Sequence, residues 1–141
     1  MRKRKQGRTL SRNATQRKAL KSTMLVSLID FGSIKTTLAK AKELKPFAER
    51  MLTRAKKVTK SDKATLTMVI RQLKKEIPIK SAKKLIKLAE NYENRSGGYL
   101  RIVKLAARKS DSAQMAIIEW VEGKKNTQSQ KDLSKKKVEK S

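Results

Sequence analysis

Basic side chains at the start of the chain are the residues best suited to chemistry. The first 29 residues contain nine lysines and arginines, and the first carboxylate is Asp30. Cations packed this closely repel one another, so the segment needs a polyanion to lie against, and nucleic acid is the common one. Arginine suits this contact because its planar guanidinium can hold a phosphate through two hydrogen bonds. We interpret residues 1–12 as an extended nucleic-acid-binding arm; a solvated tail or a localisation signal is the alternative.

A second cluster combines lysines and hydroxyls where a strand is expected to lead into a helix. Lys35, Thr36 and Thr37 precede Lys40 and Lys42. Amides and hydroxyls at the start of a helix can hold a phosphate, with lysines alongside. An ordinary capped helix with a solvated face explains the same residues, and spacing alone does not separate the two interpretations.

A third cluster surrounds a pair of glycines. Gly97 and Gly98 allow the backbone to approach a ligand closely, and Tyr99 is placed to stack on a base or a sugar. The alternative is a flexible turn before a strand, with Tyr99 in the core. The cluster is not a phosphate loop, because the glycine spacing and the terminal Lys-Ser/Thr of that motif are absent. The flanking cations are Arg95, Arg101 and Lys104.

The composition excludes several classes of function. The 141 residues include 38 basic and 12 acidic side chains, for a net charge of +26, and there is no histidine or cysteine. Disulfides, thiolate nucleophiles and the commonest general base are therefore excluded. The scattered carboxylates fit surface ion pairs better than an acid–base dyad or a metal site. We predict no catalytic residue, no metal, no cofactor and no small-molecule substrate.

The chain shows no feature of a secreted or membrane protein. Its charged start is not followed by the apolar run and small-residue cleavage site of a signal peptide. Residues 25–31 are mostly apolar but too few to span a bilayer. No predicted helix carries bulky interfacial aromatics, so a peripheral membrane protein is disfavoured. We expect an intracellular, cytoplasmic protein with no membrane partner.

Helical spacing of apolar residues places the elements that position these clusters. A first helix is predicted from Asn13 or Ala14, with Asn13 as its cap and Gly32 as its stop. Residues 33–37 are predicted to form a strand, and Thr37 is a plausible cap for the second helix. Pro46 is expected to kink that helix or delay its start. The stripe of the first helix is Leu20, Met24, Ser27, Leu28 and Phe31, and that of the second is Leu44, Phe47, Ala48, Met51, Leu52, Ala55 and Val58.

The second half of the chain is predicted to form two more helices and a pair of strands. Thr59 to Asp62 has capping-box spacing before the third helix, and Pro78 separates it from the fourth. Strands over residues 99–105 and 115–121 are joined by a hairpin loop, and both faces of the last strand are read mainly as packing. Trp120 is the exception that could stack on a base or a neighbouring protein. The helix stripes are Leu66, Val69, Ile70 and Leu73, then Ala82, Leu85, Ile86 and Ala89.

Four segments together resemble one known family. They are MRKRKxGRxLxRN over residues 1–13, IKTTxxKAKEL over residues 34–44, RSGGYxRI over residues 95–102 and MAIIE over residues 115–119. In this order and spacing they resemble the bacterial large-subunit ribosomal protein seventeen family, over roughly residues 1–121. The resemblance implies a structural role in the large subunit, bound to the large ribosomal RNA on the solvent side around the peptide exit. It also implies contacts with neighbouring ribosomal proteins there.

The resemblance and the patterns together predict an α+β protein. Its two-layer α/β fold has the order helix, strand, three helices and two strands, with a small mixed sheet packed by helices. We expect a basic arm over residues 1–12, a globular domain over residues 13–122 and a disordered basic tail over residues 123–141. The candidate RNA-binding residues are Arg2, Lys3, Arg4, Lys5, Arg8, Arg12, Asn13, Arg17, Lys18, Lys35, Thr36, Thr37, Lys40, Lys42, Arg95, Gly97, Gly98, Tyr99, Arg101, Lys104 and Arg108.

Two other functions remain as alternatives. Charge alone does not distinguish a ribosomal protein from a general nucleic-acid-binding or DNA-compacting protein. An RNA-modifying enzyme is disfavoured because a cofactor loop, histidine and cysteine are all missing. We expect recognition mainly through the shape and phosphates of RNA.

Overall fold

The computed structural model describes residues 7–59 and 63–121. Residues 1–6, 60–62 and 122–141 lie outside the described residues, and with them half of the predicted arm, most of the capping box and all of the predicted tail. The predicted α+β class and the order helix, strand, three helices and two strands are confirmed. The elements are α1 (Ala14–Phe31), β1 (Ser33–Thr37), α2 (Leu38–Thr59), α3 (Lys63–Lys74), α4 (Ile79–Glu90), β2 (Leu100–Lys104) and β3 (Met115–Trp120).

Both ends of α1 lie where the sequence predicted them. The Asn13 side chain accepts a hydrogen bond from the Gln16 backbone N–H at 2.8 Å, which satisfies one of the free amides of the first turn. Gly32 ends the helix at φ 78°, in the left-handed region that glycine tolerates. The predicted stripe is wrong at one end: Phe31 is 79% exposed, whereas Leu25 and Leu28 are fully buried. Leu25 and Leu28 therefore mark the buried face of α1, and Phe31 lies off that face at the end of the helix.

Helix α2 is the centre of the domain. It contacts the other three helices and all three strands. The predicted stripe is confirmed, since its residues from Leu44 to Ala55 are buried and Val58 packs against them. The helix begins at Leu38, so Pro46 does not delay its start. The stripes of α3 and α4 also face the core, led by Val69 and Leu85.

The three strands form one sheet in the order β1-β3-β2. Both pairings are antiparallel. The sequence analysis predicted a mixed sheet, and this detail is wrong because no strands pair in parallel among the described residues. Ala116 and Ile118 are buried on the face that packs against the helices. On the opposite face Ile117 is only partly buried, and Val103, its partner on β2, is 43% exposed. The prediction that both faces of β3 pack is therefore correct for one face only.

Candidate nucleic-acid interface

An acidic side chain of α2 binds the last part of the predicted arm, residues 7–12, which we call the arm root. The Arg8 backbone N–H donates a hydrogen bond to Glu43 Oε2 at 3.0 Å, and Lys21 Nζ lies 3.9 Å from Glu43 Oε1. Gly7 adopts φ 101°, and a Cβ at this position would lie 3.1 Å from Glu43 Oε1. The close approach and the positive φ together favour glycine here. Glu43 therefore fixes the point at which the chain leaves the domain.

Two arginines predicted to bind RNA support the backbone of the arm root. Arg17 Nη1 donates to the Thr9 carbonyl at 3.3 Å and to the Arg12 carbonyl at 3.2 Å. Arg12 Nη1 donates to the carbonyl of Leu10 at 3.1 Å. The root needs this support because Leu10 and Ser11 have φ of 53° and 50°, which costs energy for residues other than glycine.

The junction between β1 and α2 does not present a free helix end. The first amide of α2, Leu38 N–H, donates to the Gln114 carbonyl at 2.8 Å. Thr36 and Thr37 are half-buried in the strand. The exposed cations are Lys35, on the outer part of the sheet, and Lys42, in the second turn of α2, while Lys40 is half-buried. The exposed lysines of this junction can still contact a phosphate, but the backbone N–H of Leu38 cannot, because it already donates to Gln114.

Tyr99 is a core residue, so its predicted stacking on RNA is corrected. The side chain is 2% exposed, and its ring meets Tyr92 edge to face with centroids 5.6 Å apart. Its hydroxyl donates to the Arg95 carbonyl at 3.0 Å and accepts from Lys56 Nζ at 3.2 Å. A ring buried in this way has no face free for a base. Gly98, at φ 64°, makes the turn that leads into β2.

Two predicted arginines, Arg101 on β2 and Arg108 in the loop between β2 and β3, form ion pairs with nearby carboxylates. Arg101 forms an ion pair across the strands with Glu119, its register partner. Arg108 Nε donates to Asp111 Oδ1 at 2.9 Å, and Nη2 donates to Oδ2. This side-chain hydrogen bond, followed by one from the Ala113 amide, lowers the pKa of Asp111 from 3.8 to about 2. Both arginines therefore contribute less free charge than the sequence suggested.

Arg2, Lys3, Arg4 and Lys5 lie outside the described residues, so the structure does not place them. Lys18 pairs with Glu76 at 3.7 Å while its side chain remains 60% exposed. Lys104 and Arg95 are exposed, and Arg95 Nε donates to the Gly97 carbonyl at 3.2 Å. The side-chain oxygen of Asn13, another candidate RNA-binding residue, is engaged as the cap of α1.

A basic groove lies between α1, α2 and the glycine turn, and we define it by Lys21, Arg50, Arg54 and Lys57. The sequence analysis did not predict this groove. Its α1 side is a cleft of about 410 Å³, lined also by Arg17 and Lys18, with Glu76 as its acid. A second cleft of about 880 Å³ shares three of the defining residues and extends to Lys57, the arm root and the turn. The signal was present in the sequence, because positions 50, 54 and 57 share one face of a helix.

The described residues show no sign of a metal centre or a membrane span. No group of three or more acidic, histidine or cysteine side chains within residues 7–59 and 63–121 could hold a metal ion. No helix in the same ranges is long and apolar enough to cross a membrane.

The fold and its clefts define a class: a small basic α+β protein with clefts lined by cations. A family model described as "Ribosomal protein L17" matches residues 20–121. The chain is similar to the large ribosomal subunit protein bL17 of Methylacidiphilum infernorum, at 42% identity over 93% of this chain and 96% of the relative. The corresponding protein of Fusobacterium nucleatum is 45% identical over 81% of this chain and 94% of its own. That of Pelagibacter ubique is 44% identical over 92% and 89%.

The chain belongs to the ribosomal protein L17 family, whose members are structural proteins of the large ribosomal subunit in bacteria. The resemblance found in the sequence motifs is thereby confirmed, and with it the prediction that the chain is a structural ribosomal protein and not an enzyme.

Proposed function

We propose that this protein binds large-subunit ribosomal RNA through its basic arm and the basic faces of its domain, and so takes a structural place in the ribosome during translation. The observation that carries the proposal is an imbalance of charge at the surface. Most carboxylates of the described residues are engaged in five ion pairs, whereas Arg50 and Arg54 have no carboxylate partner among these residues. An external polyanion offsets such a surplus more strongly than dissolved salt ions do, because it releases its own counterions on binding.

The arm over residues 1–12 is proposed to reach between RNA helices from the domain over residues 13–122. The anchoring of its root supports this role, because a fixed exit point lowers the entropy lost when the arm meets RNA. Its acid-free composition makes phosphates the natural targets.

The arm is tested by replacing Arg2, Lys3, Arg4 and Lys5 together with glutamine. If each contacts a phosphate, the slope of log affinity against log salt should become shallower by about 3, at roughly 0.7–0.9 per lost contact. The matched control replaces Lys135, Lys136, Lys137 and Lys140, which removes the same charge from the end of the chain. Equal slopes for the two variants would show that the arm has no special role.

A competition assay separates ribosomal RNA binding from general nucleic-acid binding. Filter binding at physiological salt should show a clear preference for folded large-subunit ribosomal RNA over duplex DNA. Equal affinities would favour the DNA-compacting alternative, because charge alone does not distinguish the two polymers.

We further propose contacts with neighbouring ribosomal proteins near the peptide exit, as the family resemblance implies. Chemical crosslinking of intact large subunits, followed by mass spectrometry, tests this position. Crosslinks from this chain to proteins around the exit are expected, and crosslinks confined to proteins remote from it would contradict the proposal.

A further inference from the structure

We propose that the basic groove holds the sugar–phosphate backbone of one RNA strand, as a second contact separate from the arm. The inference rests on the proposed function and adds a site to it. The groove lies between two regions already singled out, since Gly7 of the arm root and Gly97 of the glycine turn both line its larger cleft. A strand lying in the groove would therefore pass from the arm to the turn.

Two arginines of the groove lack an ion-pair partner among the described residues, although Glu43 and Glu49 also line the larger cleft. Arg50 Nε donates to the Pro46 carbonyl at 3.2 Å, and Arg54 Nη1 lies 3.9 Å from Met51 Sδ. Neither has a carboxylate within ion-pair distance among the described residues, in contrast to Arg101 and Arg108. Like charges one helical turn apart destabilise a helix, so an anion in the groove removes a repulsion that the protein alone leaves in place.

The spacing of the cations suits a phosphate chain. Arg50 and Arg54 are four residues apart on α2, which separates them by roughly 6 Å along the helix axis. Lys57 continues the row almost one turn further. Neighbouring phosphates of a nucleic-acid strand have a comparable separation, so successive phosphates can meet successive cations. The larger cleft, at about 880 Å³, lies within the size range of sites that hold an organic ligand of nucleotide size or more.

The floor of the groove indicates what part of RNA is recognised. Phe47 is 7% exposed and Met51 is 3% exposed, and Lys21 Nζ lies 5.4 Å above the Phe47 ring. Neither side chain offers a free face on which a base could stack. The groove therefore reads phosphates and backbone shape and carries no base specificity of its own.

The test compares two double variants of the full chain. Arg50→Gln with Arg54→Gln removes two cations from the groove, and Lys83→Gln with Lys87→Gln removes two exposed cations at the same spacing on α4. Binding to large-subunit ribosomal RNA is measured by filter binding over a range of salt concentrations. The groove variant should lower the salt slope by about 1.4–1.8, and the control by far less. Thermal unfolding should change little and to the same extent in both variants, because all four side chains are exposed and each pair has the same i, i+4 spacing.

A second measurement keeps the proposal separate from the proposed function. Phenylglyoxal modification of Arg50 and Arg54, read by mass spectrometry, should be reduced in the complex with ribosomal RNA. If the wild-type chain binds this RNA but the two arginines remain fully reactive and the slopes of the two variants agree, the groove proposal is overturned and the proposed function stands. Protection by polyglutamate but not by RNA would also overturn it. Failure of the wild-type chain to prefer ribosomal RNA would instead reject the proposed function.

Discussion

Removal of the Glu43 carboxylate should weaken RNA binding, although it makes the protein more positive. Glu43→Ala deletes the acceptor that holds the Arg8 backbone N–H at 3.0 Å, on a side chain that is only 15% exposed. A hydrogen bond to a charged group contributes about 1.5–3 kcal/mol, and the exposure of Arg8 favours the lower figure. Since about 1.4 kcal/mol is a factor of ten, releasing the arm root should reduce affinity by up to roughly tenfold.

If net charge alone determined RNA binding, Glu43→Ala would change the affinity in the opposite direction. Loss of one carboxylate raises the net charge by one, so RNA binding should stay the same or become tighter. Glu90→Ala provides the matched control, because Glu90 is an exposed carboxylate at the end of α4. Filter binding to large-subunit ribosomal RNA at fixed salt measures both variants. If Glu43→Ala binds as tightly as Glu90→Ala, the anchoring of the arm root is refuted.

A second change tests the same anchor without altering charge. Gly7→Ala places a Cβ 3.1 Å from Glu43 Oε1 at a residue with φ 101°. Both the close contact and the positive φ oppose the anchored conformation. We expect an affinity loss in the same direction as for Glu43→Ala, and thermal unfolding of the domain should change little. Wild-type affinity in this variant would show that the anchored conformation is not required.

Two further predictions concern the sheet. Trp120→Phe removes the hydrogen bond from Nε1 to the Leu28 carbonyl at 3.0 Å. The free energy of unfolding in urea should therefore fall by about 0.5–1.5 kcal/mol, and the salt slope of RNA binding should not change. Weaker RNA binding at unaltered stability would instead support base stacking by this residue. The depressed pKa of Asp111 means that its bond with Arg108 stabilises the hairpin above the usual pKa of 3.8 and is lost as pH falls through about 2. An NMR titration of the Asp111 carboxyl should show a midpoint well below 3.8, and a midpoint at that value would contradict the ion pair.

Local patterns in the sequence predicted most of the fold. The caps of α1 and the stripe of α2 depend on residues close together in the chain, so spacing alone was sufficient for them. The buried face of α1 was harder to predict, because the exposure of Phe31 and the burial of Leu25 depend on how the helix lies against the rest of the domain. The predicted hairpin loop already implied that β2 and β3 pair antiparallel, whereas no local pattern encodes the antiparallel pairing of β3 with the distant β1.

The candidate site was less predictable because it depends on contacts between distant segments. Tyr99 packs against Tyr92 across the glycine turn, and its hydroxyl accepts a hydrogen bond from Lys56, which is distant in the sequence. Arg101 is neutralised by Glu119, which reaches it only across the sheet. The basic groove needs α1 and α2 side by side, although the cations of α2 already shared a helical face. Composition therefore indicated a polyanion as the partner, but it did not identify which cations pair with carboxylates inside the domain.

The central claim is that the surplus positive charge of this chain is offset by RNA within the large ribosomal subunit. Sucrose-gradient sedimentation of cell extract, followed by a high-salt wash of the separated subunits, tests it most directly. The full chain should sediment with the large subunit and remain there after the wash, because the proposed contacts of the arm and the groove are with folded RNA. Recovery of the chain at the top of the gradient, or its complete release by the wash, would contradict the account.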